Sequence, residues 1–453
     1  MGKITLAQAA QWCGGRIDPK YADIAFLGAC NDTRILQPGQ LFVALQGARD
    51  GHEFIPAALE KGAAAVLCSR CEGDYPAIVV EDPRIALGEI ARAERQRIGM
   101  KVVGVTGSVG KSTTKEMIAC VLEGGYKVAK TPANHNNDIG MPMAILSMPE
   151  DTEIAVLEMG MNHFREIAYL ASIALPDVAV IINIGTMHIE HLGSREGILK
   201  AKLEILEGMK PDGRVILNGD DALLWNVDKK SGMSVTYFGV NNEDCTVRGT
   251  DIAQKPNHLS FRVRSGNQNI PVELALEGEH FVPDALAAIS VGLTMGISPV
   301  TIARQLAAFR NMAGRQEILE EKGFRIIKDC YNAGPESMAA ALRVLGNQTG
   351  RKIAVLGDML ELGVCTQAEH YKIGRIAAEK ADIVLAYGPN SSRVLNGAQT
   401  GGMSAMAAMA FEDRALLVAA LKRVAKPGDV ILFKGSHGMH MEITLEMFLA
   451  DAT

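Results

Sequence analysis

The 453-residue chain is 48% hydrophobic and 22% charged, enough apolar material for several buried cores and, at the usual domain size, about three domains. Its formal charge of −6 comes from 46 basic and 52 acidic side chains with no long basic run. This argues against a nucleic-acid polymer as partner, because neutralising phosphates needs a clustered positive face. No apolar stretch approaches the roughly 20 residues that span a bilayer, and the start of the chain, Met1 to Leu6, lacks a long apolar signal region, so a soluble, cytoplasmic protein is expected.

Residues 1–82 read as a small α/β unit. A helix over 5–12 is stopped by Gly14 and Gly15, strands are expected at 24–27, 41–45, 64–68 and 77–80, and a helix at 54–61. Two polar segments, 31–34 and the glycine-containing 46–52, suit either ordinary turns or contact with a small molecule. Eight cysteines are scattered through the chain. Only Cys68 and Cys71 form a C-x-x-C pair, without the second pair or nearby histidine of a zinc set, so free thiols are expected.

From about 83 to 313, apolar strands at 101–105, 154–157, 178–182 and 214–217 alternate with helical stretches. That alternation predicts a largely parallel sheet with helices on both faces, which binds ligands at the carboxyl ends of its strands. Those ends carry Glu158, then Asn183 and His188, then Asn218, Asp220 and Asp221. A carboxylate and a neutral imidazole beside a phosphate site can hold a divalent cation. Between 234 and 279 the pattern shortens to β-like alternation, expected to be an antiparallel appendage, and a helix over 283–295 closes the unit. A third unit, from 314, alternates strands at 325–328, 352–356, 382–386 and 429–433 with helices such as 335–345 and 368–380. It reads as a second doubly wound, Rossmann-like domain, but no G-x-G-x-x-G follows its first strand, which argues against a dinucleotide site of its own.

The most telling stretch is Thr106-Gly107-Ser108-Val109-Gly110-Lys111-Ser112-Thr113, entered from the β-branched run 102–105 and continued by a helical pattern. Glycines let backbone amides approach phosphates, a helix N-terminus adds partial positive charge, Lys111 reaches the outer phosphates and Ser112 can ligate Mg²⁺. The common G-x-x-x-x-G-K-[ST] spacing would need glycine at Val105; what stands here is the tighter T-G-x-x-G-K-S. The alternative is a purely structural strand–helix turn.

Taken with 41–47, 50–54, 134–142, Asn183-Ile184-Gly185 with His188, 201–204, 329–333, 357–363 and 434–436, this loop resembles the Mur ligases, the ATP-dependent amide-forming enzymes of peptidoglycan precursor synthesis. The resemblance covers essentially the whole chain and implies three α/β domains: 1–82 for a UDP-linked substrate, 83–313 for ATP at the P-loop, and a Rossmann-like 314–453 for the second substrate. The third-domain motifs point to the branch that adds D-alanyl-D-alanine to UDP-N-acetylmuramoyl-tripeptide; the Asp-Asn-Pro-Arg motif of the diamino-acid-adding branch is absent. The implied reaction phosphorylates the tripeptide's terminal carboxylate, and the dipeptide amine then displaces phosphate.

The resemblance also implies roles. Lys111, Glu158, His188 and Lys202 would be catalytic; Ser112 and Glu158 would hold one Mg²⁺, and His188 with a carbamylated Lys202 would serve a second. Residues 106–113 with Asp284, Arg315 and Asp329 would bind ATP. Thr33, Arg34, Gly47, Asp50, His52, Asn134, Asn136 and Asn137 would meet the UDP-linked substrate, and Asn332 and Lys434 the dipeptide. A monomer is expected. Three positions depart from the family pattern: Asp284 replaces an asparagine expected to face adenine, Gly334 replaces an asparagine, and His437 stands where arginine often follows Lys-Gly-Ser. An ionised carboxylate accepts hydrogen bonds but cannot donate one as an amide does. The competing readings are a sibling acyl-phosphate ligase, such as a folylpolyglutamate synthase or another Mur ligase, and a P-loop regulatory ATPase.

Overall fold

The computed structural model describes residues 3–225, 227 and 234–450; the extreme ends of the first and third expected domains, and the Met1 and Gly2 of the N-terminal reading, lie outside the described residues. The first helix, Leu6–Cys13, starts one residue later than expected because Thr5 is its cap. The Thr5 hydroxyl accepts from the Gln8 amide while the Gln8 side chain accepts from the Thr5 amide, and Gly14 at φ 65° ends the helix in the left-handed conformation. The expected strand at 24–27 shortens to Ala25–Phe26 and pairs antiparallel with Ile4–Thr5, outside the main sheet of this unit. That sheet is parallel, in the order Ala29–Cys30, Leu41–Val43, Ala65–Cys68, Ala77–Val79.

The centre of the molecule is a nine-stranded sheet. Val128–Lys130, Ile154–Glu158, Lys101–Thr106, Val178–Ile181, Arg214–Asn218, Val235–Gly239 and Val247–Lys255 run parallel in that spatial order. His258–Ser265 and Gln268–Leu274 then add as antiparallel hairpins. The expected appendage is therefore corrected: Val235–Gly239 and Val247–Lys255 continue the parallel sheet, and antiparallel pairing begins only with His258–Ser265, the one strand that runs against the rest. The inner strands read as apolar runs because both faces are covered. Val103, Val105, Val156 and Val180 face the phosphate-loop helix Lys111–Leu122 and the helix Phe281–Thr294. Val102, Leu157, Ala179 and Ile181, one register step away, share the opposite core with helices Pro83–Ile98 and Glu166–Ala174 and with Leu6, Phe26 and Leu67 of the first unit. The first unit thus has no separate core on this side.

The third unit holds a six-stranded sheet in the order Glu317–Glu321, Phe324–Asp329, Val430–Lys434, Lys352–Gly357, Ile383–Tyr387, Ala408–Phe411, antiparallel only in its first pair. Ala408-Met409-Ala410-Phe411 forms the edge strand at its far side. All eight cysteines are free, Cys68 and Cys71 included. No helix among the described residues is long and apolar enough to cross a membrane.

Candidate active site

A cavity of about 530 Å³ opens where the carboxyl ends of the central strands face the third unit. Its wall begins at the phosphate loop. Gly110 sits at φ 83°, and a side-chain carbon there would stand 2.6 Å from Asp284 Oδ1, so both conformation and space demand glycine. Asn183 pins the loop: its Oδ1 accepts from the Ser108 and Val109 amides at 3.0 Å each, and its Nδ2 donates to the Val109 carbonyl. The first-turn amides of the Lys111–Leu122 helix have no partner within the helix, and Lys111, Ser112 and Thr113 line the cavity. Lys111 Nζ donates to the Gly107 carbonyl at 2.9 Å. Its pKa is lowered, chiefly by burial, an effect that Glu158 opposes and Arg315 reinforces.

At the next residue, Ser112 Oγ donates to Glu158 Oε2 at 2.7 Å, while Asn136 Nδ2 donates to Glu158 Oε1 at 2.8 Å. Arg315, from the third unit, donates to the Ser112 hydroxyl at 2.8 Å and lies 4.0 Å over the Tyr331 ring. Asp329 binds Lys434 Nζ at 2.6 Å, and Lys434 also donates to the Asn332 carbonyl. Asp284 accepts from Thr114 Oγ1 at 2.8 Å; burial pushes its carboxyl up to about 7, opposed by that hydrogen bond and by Arg315. Beside it His280 is pulled down to about 4 by burial.

His188 adopts φ 63°, unusual for a residue with a side chain. Burial, then the charges of Lys111, Lys202 and His191, bring its pKa down to about 4 and keep it neutral. Its Nδ1 lies 2.7 Å from Glu361 Oε2 but lacks hydrogen-bonding geometry to it. Lys202, in the helical turn Ala201-Lys202-Leu203-Glu204, is only 2% exposed, and burial with nearby Lys111 brings its pKa well below the usual range.

The structure therefore gathers residues 108–113 with Asn134, Asn136, Asn137, Glu158, His188, Asp284, Arg315, Asp329, Asn332 and Lys434 around one cavity. Thr106, Gly107 and Lys202 do not line it. Thr33, Arg34, Gly47, Asp50 and His52 are not part of it; Asp50 is engaged locally, accepting from the His52 amide and from Arg70, and Arg34 pairs with Asp32. Of the departures, a side-chain carbon at Gly334 would meet Met187 Cγ at 2.7 Å, and His437 is exposed outside the cavity. Sequence reasoning missed Glu166, Met187, Glu336 and Arg343, which also line the cavity. Glu336 and Arg343 carried a usable signal: with Ala340 they recur at a helical spacing of four and three along one face.

The magnesium expectation can be tested on the donors themselves. Mg²⁺ takes hard oxygen ligands at 2.0–2.1 Å in an octahedron, so adjacent ligands stand about 2.9 Å apart. Ser112 Oγ and Glu158 Oε2, 2.7 Å apart, fit one such edge. Among the described residues no group of three or more His, Cys, Asp and Glu side chains gathers to hold a metal alone.

A phosphate loop facing a second α/β unit across a cavity of carboxylates and cations defines a nucleotide-dependent ligase architecture. The chain belongs to the Mur ligase family. The Mur ligase middle domain matches residues 105–292, the Mur ligase glutamate ligase domain 314–437, and the Mur ligase family catalytic domain 24–95. The chain is 41% identical to the UDP-N-acetylmuramoyl-tripeptide--D-alanyl-D-alanine ligase of Bacillus subtilis over 98% of this chain and 97% of that one. It is 35% identical to the Escherichia coli enzyme of the same name over the full length of both. Among solved structures, MurF from Acinetobacter baumannii superposes with a TM-score of 0.91 at 32% identity, covering 100% of each chain. Thermotoga maritima MurF, solved in complex with ADP, superposes at 0.83 and 30% identity, covering 94% of this chain and 98% of that one. A folylpolyglutamate synthase at 14% identity and 0.62 shares the fold alone.

Proposed function

We propose that the chain is an ADP-forming ligase that joins D-alanyl-D-alanine to UDP-N-acetylmuramoyl-tripeptide through an acyl phosphate, in peptidoglycan precursor synthesis. The observation that carries this is the single cavity in which the phosphate loop, Glu158 and the third unit's Arg315, Asp329 and Lys434 meet. In this reading residues 1–82 hold the UDP part, through Thr33, Arg34, Gly47, Asp50 and His52. Residues 83–313 hold ATP and residues 314–453 the dipeptide, near Asn332 and Lys434.

A carboxylate is a poor electrophile, and phosphorylation gives it a leaving group. Lys111 and the first amides of its helix neutralise the phosphoryl group as it passes to the tripeptide carboxylate, acting by position and charge. Arg315, lying over the Tyr331 ring and bonded to Ser112, brings a positive charge from the third unit to the same point. Mg²⁺, held by Ser112 and Glu158, would supply further charge neutralisation at the phosphates. His188, neutral and half-buried, and Lys202, whose buried amine is poised to take up CO₂ as a carbamate, would serve a second ion. Asn134, Asn136 and Asn137 would orient the acyl end of the UDP-linked substrate. Closure of the third unit over the loop excludes water from the acyl phosphate. In this reading the enzyme works as a monomer in the cytoplasm, where ATP and UDP-linked precursors are available.

The test is phosphate release from ATP and Mg²⁺ with UDP-N-acetylmuramoyl-tripeptide and D-alanyl-D-alanine, each omitted in turn. Sustained release is expected only with both acceptors. Release without either supports a regulatory ATPase, and release driven by a single amino acid supports a sibling ligase.

A further inference from the structure

Among the described residues, one carboxylate oxygen is buried without a hydrogen-bond partner: Glu336 Oε2. It belongs to the second residue of the helix Pro335–Gly346 and lies on the cavity wall. Its twin, Oε1, is fully occupied, accepting from the Thr186 amide at 3.0 Å and the Thr186 hydroxyl at 3.1 Å. The other cavity carboxylates are differently engaged. Glu158 accepts from Ser112 and Asn136, Glu166 from the Asn162 amide, Asp329 from Lys434 and the Gln316 amide, and Asp284 from Thr114. A buried carboxylate oxygen left unpaired costs free energy, which a cationic ligand would recover.

The same helix face carries a second unpaired group. Ala340 and Arg343 follow Glu336 at helical spacing and line the cavity with Ser337 and Ala341. The Arg343 guanidinium makes no hydrogen bond or ion pair with the described residues and is exposed. Glu336 and Arg343 are seven residues apart, about 10.5 Å along the helix axis. An extended dipeptide spans about 7 Å, and one hydrogen bond of about 2.8 Å at each end brings it to the same scale. Between the two charges stand Ser337, Ala340 and Ala341, small enough to leave room for methyl side chains.

We infer that this face of the Pro335–Gly346 helix receives the second substrate as a zwitterion, Glu336 binding its ammonium and taking the proton that frees the amine, Arg343 binding its carboxylate. This rests on the ligase reading above. An α-amino group with a pKa of about 8 is mostly protonated at neutral pH and has no lone pair to attack with. One proton passes to Glu336 Oε2, and the nitrogen then bonds to the acyl carbon. The carbon–oxygen bond to phosphate breaks, and the second proton leaves with the phosphate. Amide, hydrogen phosphate and one net proton result.

The test uses the full-length enzyme. Glu336→Gln keeps an oxygen to accept from Thr186 but removes the charge and the base. It is expected to raise the KM for D-alanyl-D-alanine and lower kcat/KM by about ten- to a hundredfold, with the KM for ATP unchanged. Hydroxylamine is neutral at this pH, and its trapping of the acyl phosphate as hydroxamate should match the parent. Arg343→Gln should weaken D-alanyl-D-alanine but not D-alanyl-D-alaninamide, which has no carboxylate. Thr186→Val, which removes only the hydroxyl donor, should match the parent in every assay. A Glu336→Gln enzyme equal to the parent overturns the inference, as does a Thr186→Val enzyme that reproduces its loss, since Glu336 would then act only by holding the 185–188 loop. If the parent itself makes no product with D-alanyl-D-alanine, the ligase reading fails instead.

Discussion

Asp284 shows how one side chain can carry a measurable signature of its surroundings. Burial holds its pKa near 7, against an ordinary value of 3.8. Between those values the folded protein binds a proton that the unfolded chain has released, so the group's contribution to stability falls as pH rises from about 4 to 7, then levels off. Asparagine keeps an acceptor for Thr114 and has no charge to bury. Asp284→Asn should therefore match the parent near pH 4 and become progressively more stable than it up to pH 7, by roughly 3–4 kcal/mol at most; melting curves across that range check it. A gap that narrowed as pH rose would place the carboxylate in a site that favours its charge. Lys202 teaches the opposite lesson about legibility. Its neighbours Ala201, Leu203 and Glu204 read as an exposed helical turn, and only the packing of Arg195–Leu203 onto the central core buries it. Asp50 and His52 were legible as polar strand-end residues, but their local engagement was not: the Asp50 cap on the His52 amide is a side-chain-to-backbone bond that any turn can make.

At the scale of elements, the phosphate loop was readable because strand, glycine turn and helix follow each other in sequence. What it meets across the molecule was not. Gly110 lies under Asp284, 174 positions later by numbering (284 − 110). Gly110→Ala faces both a left-handed backbone and a contact at 2.6 Å, whereas Gly99→Ala, at φ 75° with nothing within 4 Å, faces only the first. Chemical denaturation should show a loss of roughly 1–2 kcal/mol for Gly99→Ala, a larger loss for Gly110→Ala, and a fall in ligase activity only in the latter. Equal losses would mean that the loop yields freely to the added carbon. The parallel strands were legible as apolar runs, since burial on both faces leaves little alternation to misread. Glu317–Glu321 was not: a charged edge strand lacks that signal, and it pairs only on one side. The direction of Val235–Gly239 was also hidden, because alternation records which faces are buried and not whether the neighbour runs with it or against it.

The whole molecule works through contacts between units that no local pattern announces. Arg315 reaches Ser112 and Glu336 reaches Thr186. Buried Glu277 accepts from Arg325, Gln348 and the Asn257 amide, tying the third unit to the central one beside Gly278 at φ 122°. These ties close the third unit over the phosphate loop, the geometry required if a reactive acyl phosphate is to meet an amine before water. The central claim is that ATP is spent to activate the tripeptide's carboxylate. UDP-N-acetylmuramoyl-tripeptide carrying ¹⁸O in its terminal carboxylate, turned over with ATP and D-alanyl-D-alanine, tests it directly by mass spectrometry of the released phosphate. The account predicts that each phosphate carries one oxygen from the carboxylate; phosphate free of the label would contradict it.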